Sequence, residues 1–388
     1  MMRTCICGAT IVTAEGLLED HHILIVDGRI AVISPRDQLA REYDAEIVDA
    51  TGMVVGPGFV DIHCHGGDGR WFHDDPRRAA RFHLDHGTTS LLGTTILHAT
   101  AREQIDAVES VASAALDPAI PNVVGVNMEG PFLNPDLGAY KEYSRPPERG
   151  EYLEYVRVGR GALRWMTIAP EVCGVARMVD DLQAATRGGI TFSVGHSRAR
   201  HEEIRALLPN GLRIATHLMN ATGAPIDPPE YEGTREVGVD ESVLVEPSIA
   251  AEVIADSQGC HVRPDHLRLI YRVKGRDRTV LVTDCTAESG SRIAGGPPDV
   301  NFNRSGGLAG SSLTMDRAVA NFARHTGIGL AEAWRLGSFV PARLMGGSDL
   351  GDIAPGFRAN LVFAAWDGES LTIRDVWIDG VSTGGRHV

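Results

Sequence analysis

The sequence predicts an α/β protein: a closed (β/α)8 barrel of the TIM type with a small β-sandwich domain formed from both chain ends. Two observations lead to this prediction. From about Pro57, short apolar β-like runs alternate with helical stretches eight times, and both ends of the chain are rich in β-like runs separated by turns. Parallel strands that are covered on both faces have this nearly continuous apolar composition. Eight such repeats favour closure of the sheet into a barrel.

The predicted elements follow one another without an internal repeat or a low-complexity segment. The eight predicted barrel strands are 58–65, 88–94, 123–129, 165–170, 190–196, 213–217, 250–256 and 279–284. The clearest predicted helices are 76–87, 102–116, 174–189, 198–209 and 264–275. An open, doubly wound sheet is the alternative, but no GxGxxG loop follows the first strand.

The division into domains follows from the change in pattern along the chain. We expect the small β-domain to comprise residues 1–55 and 346–388, because chain termini often lie close together, and the barrel to comprise 56–345. Two long polar stretches rich in proline and glycine, 133–150 and 223–238, are predicted to be functional loops.

The composition excludes several other classes of protein. The 388 residues carry a formal net charge of −14, whereas a nucleic-acid-binding protein normally presents a basic face. This acidity repels anionic ligands at long range, so a phosphate site has to be built locally. No run approaches the roughly 20 apolar residues of a membrane-spanning helix. We expect a cytoplasmic protein whose six cysteines, none of them in a CxxC pair, stay reduced.

Candidate metal ligands stand at the C-terminal ends of five of the eight predicted strands. In a barrel of this type, that edge carries the chemistry. His63 and His65 are two positions apart on one strand, so both imidazoles point to the same side and can reach one ion. The full set is His63, His65, Glu129, His196, His217 and Asp284.

Each of these residues also has an ordinary structural interpretation when it is taken alone. A single His-x-His pair is more often a pair of core or surface histidines than a metal site. Several such residues at one edge of the barrel favour a metal site over the ordinary structural interpretation. A buried, unpaired carboxylate such as Glu129 is costly unless it binds a metal. A shell of histidine and carboxylate favours Zn²⁺, with Fe²⁺ or Mn²⁺ as alternatives. We expect one or two divalent ions per chain.

Six ordered segments resemble the landmarks of the N-acetylglucosamine-6-phosphate deacetylases of the amidohydrolase superfamily. They are HCH at 63–65, MEGPFLNP at 128–135, SVGHSRA at 193–199, ATHLMNA at 215–221, LVTDCTAESG at 281–290 and GGLAGSSLTMDRAVAN at 306–321. A seventh segment, GDIAPGFRANLVF at 351–363, resembles the closing β-segment of the superfamily. The resemblance covers nearly the whole chain.

The resemblance implies a metal-binding role for the strand-end residues. Glu129, His196 and His217 would hold the principal metal. His63 and His65 would hold a second ion that Glu129 bridges, although some members of the family lack this pair and work with one ion.

The resemblance also implies catalytic and substrate-binding residues. Asp284 would be the general acid and base, and His261 would contact the substrate near its amide. Arg235 matches a residue that in the family reaches the neighbouring subunit's site, which implies a homodimer. The positions that match the family's sugar and phosphate contacts are Asn220, Ala221, Arg235 and Leu308.

The sequence departs from the family pattern in three substrate-binding parts. Tyr140 stands where the family has a substrate-contacting histidine. The segment between Asn220 and Arg235 and the run before His261 are both longer than the family pattern. None of these departures touches the metal ligands or Asp284, so the chemistry is more secure than the substrate.

We therefore expect metal-dependent hydrolysis of the N-acetyl amide of an amino-sugar phosphate, most simply N-acetylglucosamine 6-phosphate, to acetate and the free amine. A first alternative is an amidohydrolase for another N-acyl amino sugar, either the galacto isomer or an unphosphorylated one. A second is a catalytically inactive barrel, which the complete set of ligands disfavours.

Overall fold

The computed structural model describes residues 2–35, 45–225, 231–288, 296–303 and 305–384. Parts of three predicted features therefore lie outside the described residues. They are the small β-domain, the loop at 223–238 and the end of the segment at 281–290.

Strands make up both the end sheets and the barrel. In chain order they are β1 Arg3–Cys7, β2 Thr10–Thr13, β3 Gly16–Leu18, β4 His21–Val26, β5 Arg29–Pro35, β6 Glu46–Asp49, β7 Val54–Pro57, β8 Phe59–Cys64, β9 Gly66–Gly67, β10 Arg70–Trp71, β11 Thr88–Thr95, β12 Val123–Glu129, β13 Leu163–Ile168, β14 Thr191–Val194, β15 Leu212–Ala215, β16 Ala250–Ile254, β17 Thr279–Val282, β18 Val300–Phe302, β19 Leu308–Ser311, β20 Leu361–Trp366, β21 Leu371–Ile378 and β22 Val381–Ser382.

The helices lie mainly between the barrel strands. They are α1 Pro76–Asp85, α2 Ala101–Ala115, α3 Arg149–Gly159, α4 Val175–Thr186, α5 His201–Leu207, α6 Val239–Val245, α7 Pro264–Lys274, α8 Met315–Thr326, α9 Leu330–Leu336 and α10 Phe339–Leu344. Among the described helices, none has the length and apolarity needed to cross a membrane.

Eight parallel strands form the largest sheet of the described chain, in the order β17-β16-β15-β14-β13-β12-β11-β8. The sheet closes where the backbone amide of Asp284, just after β17, donates to the carbonyl oxygen of His63 on β8 at 2.9 Å. The Thr283 hydroxyl adds a 2.6 Å hydrogen bond to the Asp61 carboxylate. All eight predicted barrel strands are confirmed, and every residue of β11 is buried, because one face of a barrel strand packs in the interior of the barrel and the other against the outer helices.

The predicted helices are confirmed, and their starts have local causes. The Asp75 carboxylate accepts the backbone N–H of Arg78 at 3.1 Å, and Pro76 occupies the first turn of α1. Thr100 and Glu103 form a capping box at α2. The predicted loop 133–150 ends slightly early, because α3 begins at Arg149.

Two further sheets lie at the chain ends, and both termini contribute to them. One sheet has the order β5-β4-β1-β6, and the other has the order β22-β21-β20-β7-β2-β3. β7 pairs with β2 on one side and with β20 on the other, so the two ends of the chain meet in one sheet. A second hydrophobic core, separate from that of the barrel, contains residues of both sheets: Ile6, Ile23 and Ile25 from the first, Val55, Leu361 and Trp377 from the second. The domain boundaries at 55/56 and 345/346 stay a prediction.

Trp334 on α9 fastens the C-terminal helices to the start of the barrel. Its buried ring packs against Phe59 with the ring centroids 4.8 Å apart, and its Nε1–H donates to the carbonyl oxygen of Pro57 at 2.8 Å. Gly56 faces the indole so closely that it has no room for a Cβ.

We expect Trp334→Phe to lower the free energy of unfolding by about 1–3 kcal/mol, because the buried Pro57 carbonyl loses its donor. Trp165→Phe is the matched control. Trp165 is equally buried, but its Nε1 has no hydrogen-bond partner among the described residues, so the same change costs less. Urea unfolding of both variants provides the measurement, and equal losses would contradict the role given to the Trp334 hydrogen bond.

Candidate active site

Glu129, at the end of β12, lies at the centre of a buried cluster at the barrel mouth. Its Oε1 atom is 2.8 Å from Nε2 of His196 and 3.0 Å from Nε2 of His217. Its Oε2 atom is 3.1 Å from Nε2 of His65. One carboxylate therefore faces two separate groups of histidines.

The second group of the cluster contains His63, His65 and Asp284. The Nε2 atoms of the two histidines are 3.2 Å apart. The Asp284 Oδ1 atom lies 3.2 Å from His65 Nε2 and 3.7 Å from His63 Nε2. The structure thus brings together all six strand-end residues that the sequence singled out.

The donor set fits divalent metal ions. In the first group, the ligand atoms of Glu129, His196 and His217 lie within 4.8 Å of one another. The same limit holds in the second group for His63, His65 and Asp284. Nitrogen and oxygen ligands about 2.0–2.2 Å from a tetrahedral ion stand about 3.3 Å apart, close to the separations found here. The Nε2 atoms of four imidazoles crowd around two carboxylates, an arrangement that a shared cation stabilises.

The backbone turns sharply at three of the site residues. His196, His217 and Asp284 each follow a barrel strand by two positions and adopt left-handed conformations, with φ of 47°, 28° and 50°. Such conformations are unfavourable for residues other than glycine and concentrate at functional sites. The turn ends each strand and places the side chain in the barrel mouth. Gly138 packs against the His196 ring, where a Cβ would clash with Nδ1.

A second layer of hydrogen bonds orients the histidines. The buried Glu252 carboxylate on β16 is 3.1 Å from Nδ1 of His63, and the carbonyl oxygen of Asn220 is 3.1 Å from Nδ1 of His217. These contacts fix the ring orientation and direct both Nε2 atoms toward the cluster. Sequence reasoning missed Glu252, although a lone carboxylate inside an apolar strand was the available signal.

The surrounding charges keep both site carboxylates ionised. Burial alone would raise the pKa of Glu129, but His196, His63 and His217 together hold that pKa well below its usual range. Burial likewise opposes ionisation of Asp284, but the hydrogen bond from His65 and the charges of both neighbouring histidines lower its pKa. An ionised Asp284 is in the form that a general base requires.

His261 approaches the site from the loop after β16. Its Nδ1 atom is 3.1 Å from the Asp256 carboxylate, and its Nε2 atom is 3.1 Å from the carbonyl oxygen of Gly310. Burial would raise the pKa of Asp256, but hydrogen bonds from His261 and the Cys260 amide lower it to about 2. Asp256 is therefore a fixed anion that orients the His261 ring. Its role was not predicted, although Asp256 ends the predicted strand 250–256.

A cavity of about 340 Å³ opens above the cluster. Its floor contains His65, Glu129, His196, His217 and Asp284. Its walls contain five of the predicted substrate-contacting residues: Tyr140, Asn220, Ala221, His261 and Leu308. Trp71, Lys141 and Asn303 also line the cavity and were missed, because nothing in the sequence shows which loop residues turn inward.

Arg235 is the one predicted substrate-contacting residue that does not line this cavity. Its side chain is 86% exposed and pairs with Glu241 on the same chain. Its predicted role requires a neighbouring subunit, so that role stays a prediction.

The eight-stranded barrel with a histidine and carboxylate cluster at its mouth defines a metal-dependent hydrolase. Residues 54–383 match the sequence model of the amidohydrolase family, and the chain belongs to this family. It is 31% identical to the N-acetylgalactosamine-6-phosphate deacetylase of Escherichia coli O157:H7, over 95% of this chain and 96% of that protein. It is 28% identical to the N-acetylglucosamine-6-phosphate deacetylase of Lysinibacillus sphaericus, over 91% of each.

Solved structures agree with these relatives over the whole fold. The N-acetylglucosamine-6-phosphate deacetylase of Pasteurella multocida superimposes with a TM-score of 0.84 at 26% identity, covering 98% of this chain and 99% of that one. A mutant of the Mycobacterium smegmatis N-acetyl-D-glucosamine-6-phosphate deacetylase, solved in complex with N-acetyl-D-glucosamine-6-phosphate, gives 0.83 at 28% identity and the same coverage. The predicted fold class is thereby confirmed.

We expect one or two divalent ions per chain, and His217→Asn should remove at least one of them, because it deletes an imidazole that faces Glu129. Hydrolytic activity should fall with the metal. Elemental analysis after gentle purification provides the measurement, with His266→Asn on the exposed face of α7 as the control. A wild-type protein with far less than one equivalent, inactive after addition of Zn²⁺ or Mn²⁺, would contradict the assignment.

Proposed function

We propose that this protein hydrolyses the N-acetyl amide of N-acetylglucosamine 6-phosphate, releasing acetate and the free amino sugar phosphate. One observation carries the proposal. Asp284 and His261 line a cavity whose floor is the histidine and carboxylate cluster, and the residues matching the family's sugar contacts form its walls. Relatives and solved structures that match more than nine-tenths of the chain include N-acetylglucosamine-6-phosphate deacetylases.

Five residues would hold the metal: His63, His65, Glu129, His196 and His217. A divalent ion bound there supplies a Lewis acid that polarises the amide carbonyl and lowers the pKa of water. Zn²⁺ suits this donor set, with Fe²⁺ or Mn²⁺ as alternatives.

Asp284 moves the proton in this proposal. Its ionised carboxylate lines the cavity beside His65 and accepts a proton from the attacking water. It then delivers that proton to the nitrogen of the amide as the C–N bond breaks. The second transfer is as necessary as the first, because an amine leaves poorly unless it is protonated.

His261 stabilises the oxygen of the tetrahedral intermediate. Asp256 holds its Nδ1 side, so its Nε2 side is directed at the cavity wall near Gly310. With Asp256 fixing the ring, the Nε2–H donor has only to exchange the Gly310 carbonyl oxygen for the substrate's carbonyl oxygen when negative charge develops there.

The cavity walls select the sugar. Tyr140, between β12 and α3, and Leu308, the first residue of β19, both line the cavity, as do Asn220 and Ala221. We propose that Arg235 binds the phosphate in the cavity of a second subunit, which makes the working protein a homodimer in the cytoplasm. Lys141 is the one lysine or arginine among the residues that line the cavity within the described chain, so it is the competing phosphate partner.

Two observations favour a second candidate substrate, N-acetylgalactosamine 6-phosphate. The deacetylases of Escherichia coli O157:H7 and a Shewanella strain, 31% and 28% identical to this chain, are named for that sugar. Tyr140 also replaces a histidine that contacts the substrate in the N-acetylglucosamine-6-phosphate enzymes that the sequence resembles.

A panel of four substrates tests the proposal: the gluco and galacto N-acetylhexosamines, each with and without the 6-phosphate. We expect the highest kcat/KM for N-acetylglucosamine 6-phosphate, measured as acetate release. A preference for the galacto phosphate would transfer the function to the second candidate. Equal rates with the unphosphorylated sugars would show that the protein does not recognise the 6-phosphate. A metal-loaded protein without activity on all four substrates would indicate a catalytically inactive barrel.

Asp284→Asn should leave the fold and most of the metal in place and lower kcat by on the order of 10²–10⁴-fold, because it keeps the shape and loses the proton-transfer group. The control is Asp136→Asn on the exposed loop beside the cavity, which should leave kcat nearly unchanged. An Asp284→Asn enzyme with about half the wild-type kcat would overturn the role of Asp284.

Arg235→Ala should raise KM for phosphorylated substrates and barely affect unphosphorylated ones, because the contact lies far from the reacting amide. Arg272→Ala, at an exposed position of α7, is the matched control, and Lys141→Ala tests the competing cation. Sedimentation should show a dimer. A monomer, or the phosphate-specific effect in Lys141→Ala alone, would rule out binding across an interface.

A further inference from the structure

Cys5, Cys7 and His22 form a second group of potential metal ligands, in the end sheets rather than the barrel. Cys5 and Cys7 are two positions apart on β1, so both side chains point to the same face. Ile6 between them points to the opposite face, into the core of the end sheets. The register pairs Ile6 with Ile23, so the next positions, Cys7 and His22, stand opposite each other on β1 and β4.

The separations of the ligand atoms match those of a metal site. The Sγ atoms of Cys5 and Cys7 are 3.5 Å apart, and each lies within 4.8 Å of a ring nitrogen of His22. Two thiolates bound tetrahedrally at about 2.3 Å from Zn²⁺ stand about 3.8 Å apart.

Two of the three residues in this group of potential ligands are buried, which distinguishes it from an incidental contact between surface side chains. Cys5 and His22 are each 3% exposed, whereas Cys7 is half-buried. An ion held by all three would thus be shielded on the side of Cys5 and reachable from solvent on the side of Cys7.

A disulfide between the two cysteines fits the same atoms less well. Residues i and i+2 of a strand have Cα atoms about 6.6 Å apart, near the upper limit for disulfides. The sulfurs would have to approach to about 2.05 Å, which strains the strand. A disulfide also makes no use of His22.

We propose that Cys5, Cys7 and His22 bind a thiophilic metal ion such as Zn²⁺, with a fourth position open to solvent. Thiolate sulfur and imidazole nitrogen are ligands that Zn²⁺ and Cu⁺ prefer. The ion would join β1 to β4 and would differ in kind from the ions of the barrel, whose ligands are all nitrogen and oxygen.

Protonation adds a requirement. The thiolate is the form of cysteine that binds a metal, so an ion has to displace the thiol protons when it binds. Binding at this site should therefore release protons and tighten as the pH rises.

Co²⁺ spectroscopy separates the two kinds of site. Thiolate ligands give a near-ultraviolet charge-transfer band with Co²⁺, which nitrogen and oxygen ligands do not give. The full-length chain, reduced and freed of metal by a chelator, is titrated with Co²⁺. We expect this band to grow to about one equivalent and to disappear when Zn²⁺ is added. Absence of the band in the wild-type protein overturns the proposal.

Cysteine variants identify which residues give rise to the charge-transfer band. Cys5→Ser/Cys7→Ser should abolish it and reduce bound Co²⁺ by one equivalent, while the barrel retains its ions. Cys173→Ser, at an exposed cysteine, is the matched control and should leave the band intact. A band that persists in the double variant belongs to other cysteines and overturns the proposal.

Cys7 is half-buried, so a single substitution at Cys7 provides a second test without a substitution in the core. Cys7→Ser should shift the band and weaken Co²⁺ binding at least tenfold, with the circular dichroism spectrum unchanged. An identical titration for Cys7→Ser and the wild-type protein contradicts the proposal even where the double variant fails to fold.

Discussion

The buried carboxylate of Glu129 is the interaction on which the active site depends. Its two oxygens face different histidines, with His196 and His217 on one side and His65 on the other. A charge at this depth is stable only when it is paired, and the imidazoles are held together only because it is there. Each partner comes from the end of a different strand, so the pairing fixes β8, β12, β14 and β15 relative to one another at the mouth of the barrel.

The fold was predictable because strands that are buried on both faces have a nearly continuous apolar sequence. Each barrel strand is a short apolar run between helical patterns, and all eight were located from that signal. The ligands were predictable for a related reason, since polar residues at the end of an apolar run stand out. Glu252 and Asp256 stand out in the same way, but their roles were not predicted because their partners are identified only by folding: His63 and Glu252 are separated by 189 positions in the sequence. Lys141 is on a loop whose path no periodicity describes.

The site divides its tasks between rigid and variable parts of the chain. The metal ligands and Asp284 stand at strand ends, where the closed sheet and left-handed turns hold them in place. Tyr140 reaches the cavity from a loop and Leu308 from the two-stranded β18–β19 sheet, both outside the eight barrel strands, where change disturbs the barrel less. The departures from the family pattern lie in such substrate-binding parts and not at the metal ligands or Asp284. One scaffold can retain its hydrolytic chemistry while its sugar preference changes.

The pairing of β7 with both β2 and β20 has a consequence for biosynthesis. β7 leaves the ribosome early, whereas β20 follows only after nearly the whole barrel has been translated. Until then, one edge of β7 presents unsatisfied amide and carbonyl groups beside the apolar face of the end sheets, and such edges attract other strands. For a long interval during translation, the strands β2, β3 and β7 therefore lack their partner strand on one side of β7. The sheet is complete only when β20, β21 and β22 have been synthesised and β20 pairs with β7.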